Sequence, residues 1–293
     1  MFRRQYRELI GLDVDGVDSM VVRAEVEVVK DRELVRDRVT RVKASGSGSS
    51  GVAEACAKPC FTIVDGVADG VGGWRAYGID PGEFSLHLMQ TCERLVGIGR
   101  FTPSNPSELL ARSYYELLQH KKAILGSSTA CVVVLNKENC MLYTANIGDS
   151  GFMVVRHGKV IHKSEEQQHY FNTPFQLSLP PPGYQANVLS DQPDSAITNN
   201  FPVEDGDVIL VATDGVFDNL PQSLLIKELC KVQGERCASR LQTVANSIAW
   251  MARNLSFDET FISPFAESAF ANGINTIGGK PDDITVILAT VAI

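Results

Sequence analysis

The chain has 293 residues, of which 44% are hydrophobic and 21% charged, and a formal net charge of -8. That length suffices for one large domain or two small ones with a substantial buried core. So acidic a chain lacks the basic footprint of a nucleic-acid binder, and it has no run of about 18 apolar residues, which excludes a transmembrane helix. The seven cysteines are scattered, without paired C-x-x-C spacing. This argues against a structural zinc site and for reduced thiols in an intracellular compartment.

Residues 1–44 are charge-rich, with both signs mixed between Arg23 and Lys43 as on a solvated face. Arg3, Arg4 and Arg7 could open a mitochondrial presequence, but Glu8, Asp13 and Asp15 follow at once, and presequences avoid acids. An ordinary charged N-terminus fits equally well. Residues 45–51 form a flexible Gly/Ser linker. The expected organisation is therefore a charged extension over 1–44, a linker over 45–51 and one domain over 52–293.

Within that domain, residues 61–64 read as a strand entering a glycine-rich turn. Asp80-Pro81-Gly82-Glu83 is a helix start, with Asp80 as N-cap and Pro81 in the first helical position. Phe84, Leu88, Cys92 and Leu95 then fall on one face. Asn105-Pro106-Ser107-Glu108 repeats the signal before a second helix carrying Leu110, Tyr114, Leu117 and Leu118. Strands are predicted over 130–135, 141–146, 151–156 and 208–212, with a hairpin turn at His157-Gly158-Lys159. Two helices follow, over 223–231 and 237–251, and a last strand over 284–291. Strands and helices come in runs without strict alternation, which predicts an α+β fold.

Three aspartates stand at the turns that end apolar strands or precede one: Asp69 before Gly70, Asp214 before Gly215, and Asp282 before Asp283. A single Asp-Gly is most simply a turn. A carboxylate at a strand end is also rigidly held, and oxygen donors of this kind suit hard cations such as Mg²⁺ and Mn²⁺. Convergent carboxylates without a cation would repel one another and raise their pKa values.

Four segments carry a resemblance. Residues 66–74 (GVADGVGGW) resemble the first metal-binding segment of the PPM family, the metal-dependent protein serine/threonine phosphatases. Residues 145–150 (ANIGDS), 212–218 (ATDGVFD) and 281–285 (PDDIT) resemble its later segments, in the family's order. Residues 72–75 and 166–177 are similar to the mitochondrial or T-cell-activation branch, related to SpoIIE-like phosphatases. The resemblance implies a four-layer α-β-β-α sandwich with the metals at one end of the central antiparallel sheets. It implies that Asp69 bridges two ions, Mg²⁺ or Mn²⁺, that the Gly70 carbonyl binds one, and that Asp214 and Asp282 complete the other shell. Asp149 and Asp218 match positions that hold a weaker third ion. The implied activity is hydrolysis of phosphoserine and phosphothreonine in phosphorylated proteins, through a metal-activated water, by a monomer located in mitochondria or otherwise in the cytoplasm.

The sequence also departs from the family pattern. Many members have a histidine directly after the first Asp-Gly; here it is Val71, so the acid for the leaving group is unassigned. Glu54 is the nearest match to the upstream acidic ligand, and Arg75 reads as a surface or packing arginine, with bidentate phosphate pairing as the alternative. His169, among glutamates and glutamines, reads as a loop histidine, with acid catalysis as the alternative. Two other functions stay open: a catalytically weak phosphatase-like binding module, and a small-metabolite phosphatase on the same fold.

Overall fold

The computed structural model describes residues 21–28, 44–45, 62–184 and 188–291. Two five-stranded antiparallel sheets form its centre. The first has the order β1 (Val21–Val28), β14 (Ile284–Val291), β13 (Val208–Ala212), β7 (Gly151–Arg156), β8 (Lys159–Lys163). The second runs β12 (Ile197–Pro202), β6 (Met141–Ile147), β5 (Ala130–Asn136), β3 (Thr62–Val67), β2 (Ala44–Ser45). Two short antiparallel pairs lie outside them: β4 (Gly126–Ser128) with β11 (Leu177–Leu179), and the hairpin of β9 (Gln168–Tyr170) with β10 (Thr173–Pro174).

The period of two along each central strand divides the core into three apolar layers. In β5, Ala130, Val132 and Val134 face the outer helices, while Cys131, Val133 and Leu135 face the other sheet. In β13, Val208, Leu210 and Ala212 point outward, and Ile209 and Val211 point inward. Both strands are thus covered on both faces, which is why they read as continuous apolar runs rather than alternating ones. Helices α1 (Pro81–Gly97) and α2 (Pro106–Leu118) pack on the second sheet through Phe84, Leu88, Leu95, Leu110 and Tyr114. On the first sheet lie the one-turn helix α3 (Asp214–Phe217), α4 (Gln222–Leu229) and α5 (Ala238–Ser256), with Leu225, Leu241, Ile248 and Ala252 in the shared core. A short helix α6 (Pro264–Ala271) follows α5. The layers are helix, sheet, sheet, helix, as expected.

The two predicted helix starts are formed as the residue types require. The Asp80 carboxylate accepts from Gly82 N at 3.0 Å, and the Asn105 side chain accepts from Glu108 N at 3.4 Å. The N-terminal boundary needs correction. Val21–Val28, placed by the sequence reading in an extension outside the domain, is the edge strand of the first sheet and pairs with all of β14, Val21 opposite Val291 and Val28 opposite Ile284. Val22, Ala24, Val26 and Val28 alternate with Arg23, Glu25 and Glu27, a strand period that the mixed charge concealed. Ser45 pairs with Ile63, so the Gly/Ser run begins inside a strand. The remainder of that run and Glu54 lie outside the described residues.

Candidate metal centre

One end of the sandwich gathers the aspartates, and each is positioned by a local device. Asp69 follows β3 and is held through its backbone. Thr129 N and Ser128 Oγ donate to its carbonyl at 3.0 and 2.9 Å, and its own N–H donates to Thr129 Oγ1 at 3.3 Å. Thr129 Oγ1 is in turn 2.9 Å from Ser150 Oγ in the turn that carries Asp149. The next residue must be glycine, because a Cβ on Gly70 would lie 2.1 Å from the Pro81 carbonyl oxygen at the start of α1. The ring nitrogen of the buried Trp74 donates to Ser127 Oγ at 2.6 Å and fixes the turn that follows.

Asp214 opens α3 directly after β13. The buried Thr213 hydroxyl donates to the Asp283 carbonyl at 3.0 Å and accepts from Thr285 N at 3.0 Å, clamping the entry of β14 against the end of β13. Gly215 lets these segments touch, since a Cβ there would be 2.4 Å from the Asp283 carbonyl oxygen. The Asp-Gly pairs at 69 and 214 are therefore more than turn chemistry: each is a carboxylate beside a point of backbone-to-backbone contact.

The result is a convergent group. Asp69, Asp214 and Asp282 each present an oxygen, all within 4.8 Å of one another. Asp214 is buried, and its Oδ1 has no hydrogen-bond partner. A buried orphan acceptor among two further carboxylates is costly unless a cation joins it, so the residues fit a divalent metal. Asp149, also buried, lies in the β6–β7 turn and not in this group of three.

A residue that the sequence reading passed over completes the electrostatics. Lys280 Nζ is 2.7 Å from Asp214 Oδ2, 2.7 Å from Asp218 Oδ2 and 3.5 Å from Asp282 Oδ2. Its signal in the sequence is weak: a lysine two positions before the last motif aspartate, held extended by the proline that follows. The titrations follow from burial and charge. Burial, then repulsion from Asp214 and Asp282, raises Asp69 well above the ordinary aspartate range. Asp149 is raised by burial and by Asp214. Burial pushes Asp218 up to about 7 even though Lys280 opposes the shift. Asp214 goes the other way: burial works against its charge, but the Lys280 ammonium and hydrogen bonds from Asp69 and the Gly215 backbone together outweigh it and the pKa is lowered.

The other candidates lie apart from these contacts. Val71 donates its N–H to the Ser127 carbonyl at 3.1 Å, and Arg75 is exposed on the turn after it. The His169 ring stacks on Phe175 at 4.2 Å and pairs with Asp191 at 3.0 Å.

A family model described as Protein phosphatase 2C matches residues 101–174. The Protein phosphatase PTC7 homolog of Danio rerio is 60% identical over 227 residues, covering 78% of this chain and 76% of the relative. The Homo sapiens PTC7 homolog is 59% identical over 227 residues, with coverage of 78% and 74%. The X-ray structure of the photosystem II phosphatase PBCP superposes with a TM-score of 0.75 at 26% identity, over 92% of this chain and 98% of that one. Fold, acidic centre and relatives together define a protein phosphatase, a phosphoester hydrolase. The chain belongs to the protein phosphatase 2C family, the PPM phosphatases whose segments its sequence resembles.

Proposed function

We propose that this protein removes phosphate from phosphoserine and phosphothreonine in protein substrates, using a centre that holds two divalent cations, Mg²⁺ or Mn²⁺. The observation that carries the reading is the convergence of Asp69, Asp214 and Asp282 within 4.8 Å around a buried carboxylate oxygen that lacks a partner. Oxygen donors held this closely match hard cations. Two such ions, when bound, supply a water ionised near neutral pH and offset the charge of a phosphoryl group.

The residues of the chain set the conditions for that chemistry. Asp69 would be the residue shared by both ions, and its backbone is pinned by Ser128 and Thr129. The Gly70 carbonyl would add a neutral ligand, and Asp214 and Asp282 would supply the remaining carboxylates. The 0% exposed Thr213 and Asn219 lock the two segments that bear them. No histidine follows the first Asp-Gly, and the contacts of the centre assign no side chain to protonation of the leaving oxygen.

The test is hydrolysis of a phosphoserine or phosphothreonine peptide by the purified chain, with Mn²⁺ added and after exhaustive chelation. Turnover that requires the cation supports the reading. Full turnover after chelation overturns the metal assignment, and hydrolysis confined to small phosphate esters overturns the substrate class. The proposal extends to a monomer in mitochondria, on the branch resemblance alone. A fluorescent fusion of residues 1–44 that remains diffuse in the cytoplasm would remove that location.

A further inference from the structure

We propose that Lys280 is a resident cation of the acidic centre: its ammonium holds the place between Asp214 and Asp218 that a third divalent ion would need, so this centre takes two ions and not three. The inference rests on the metal-dependent reading above. Its basis is the position of one side chain and the way its backbone is fixed.

Lys280 Nζ lies 2.7 Å from one oxygen each of Asp214 and Asp218. Asp149 and Asp218 were the candidate ligands for a third ion. Asp218 Oδ2 is already engaged by the ammonium, whose charge also reaches the buried Asp149. A divalent ion held by Asp218 Oδ2 beside Asp214 would sit about 2.1–2.5 Å from that oxygen. That is the space the ammonium fills, and two cations cannot share it without strong repulsion.

Lys280 is not a surface lysine that happens to swing inward. Its backbone N–H donates to Asn219 Oδ1 at 2.8 Å, and its carbonyl accepts from Asn219 Nδ2 at 2.8 Å. Asn219 is fully buried, and the same Nδ2 reaches the Gly215 carbonyl at 3.0 Å. One amide side chain thus ties the lysine to the turn that bears Asp214. Pro281 restricts the backbone of Lys280, and the Phe265 ring lies 5.4 Å from the ammonium on another side. The lysine side chain is only 18% exposed.

Asp214 divides its two oxygens accordingly. Oδ2 receives the ammonium, while Oδ1 is buried without a hydrogen-bond partner. The first oxygen is committed to an ammonium tethered to the chain, and the second is left for an exchangeable ion near Asp69 and Asp282. Lys280 is therefore a positioning residue: it holds Asp214 aimed, and it occupies the third place.

The experiment counts ions and does not use turnover. Mn²⁺ bound per chain is measured by equilibrium dialysis with elemental analysis, for the wild-type chain, Lys280→Met, Lys280→Gln and Lys280→Arg, each checked for native circular dichroism. The wild type should saturate at two ions. Lys280→Met and Lys280→Gln should take up one more, with weaker affinity, and Lys280→Arg should stay at two because it restores the charge. Either of the two neutral variants, if folded, suffices for the test. A third ion in the wild type, or no added ion in a folded neutral variant, overturns the proposal. Two ions with no hydrolysis of any phosphopeptide would leave it standing while the proposed activity fell, and turnover with three ions would do the reverse.

Discussion

Asp69 sits where burial and four neighbouring aspartates oppose its charge, yet its backbone is pinned by Ser128 and Thr129. Asp69→Asn keeps the size and the backbone contacts and removes the charge proposed to be shared by the two ions. The variant should fold normally and lose about a thousandfold or more in phosphopeptide turnover, comparable to removing a major electrostatic stabiliser. Steady-state kinetics with circular dichroism checks this, and wild-type turnover in the variant would make Asp69 a turn residue. The glycines beside the aspartates act by absence. Gly215→Ala would drive a Cβ to 2.4 Å from the backbone oxygen of Asp283. No flexible side chain is there to yield, so the β13–α3 junction must move away from the β14 entry. The expected cost is about 1–3 kcal/mol of stability, read by denaturant titration, together with weakened Mn²⁺ binding as Asp214 and Asp282 separate. Unchanged binding would show that the contact does not set the distance between them.

At the scale of elements, the charged N-terminal segment takes on a structural role. β1 covers one edge of β14, whose residues are buried along its whole length. An uncovered edge offers unpaired N–H and C=O groups to other chains. Deleting residues 1–44 should therefore lower the thermal midpoint and promote association, seen by differential scanning calorimetry and size-exclusion chromatography. A truncated chain as stable and monodisperse as the full one would show that β14 needs no partner there. Among the elements that escaped the sequence reading, three did so for identifiable reasons. β1 looked like a solvated face because its polar positions carry charge. β12 alternates half-buried and exposed positions and contains Asn199, Asn200 and Pro202, so no apolar run marks it. The one-turn helix α3 is shorter than any period can reveal.

For the whole molecule, the acidic centre sets the pH dependence of the metal-free state. Asp69, Asp149 and Asp218 all have raised folded pKa values, with burial the largest cause in each. A carboxyl raised in the fold favours the folded state while protonated. That contribution is complete below its unfolded pKa and is lost as pH rises through the folded one. For Asp218 the window runs from 3.8 to about 7. Asp214, lowered because Lys280 and the hydrogen bonds it receives together outweigh burial, contributes in the opposite sense and loses its share on acidification below 3.8. Above 3.8 Asp214 is ionised in both states and adds no slope, so the thermal midpoint of the chelated protein should fall as pH rises through the Asp218 window. Mn²⁺ at about a hundredfold excess over its Kd should then restore about 2.7 kcal/mol and flatten the slope. Calorimetry in buffers of matched ionic strength measures both effects, and a midpoint that rises with pH in the chelated protein would contradict the assignment.

The sequence by itself determined the apolar strands, the two capped helices and the four motif segments, because strand periods, caps and Asp-Gly turns are local chemistry written in adjacent residues. It named Asp69, Asp214 and Asp282, which lie in three segments far apart along the chain, and the tertiary structure brought their oxygens within 4.8 Å. Only the fold could do so, since the pairing of β13 with β14 sets Thr213 beside Asp283. Only the fold showed that Val21–Val28 belongs to a sheet, because an edge strand is defined by its neighbour. Lys280 is the clearest case. In the sequence it is one lysine before a proline, and its meaning comes from two carboxylates more than sixty residues earlier that the buried Asn219 holds against it.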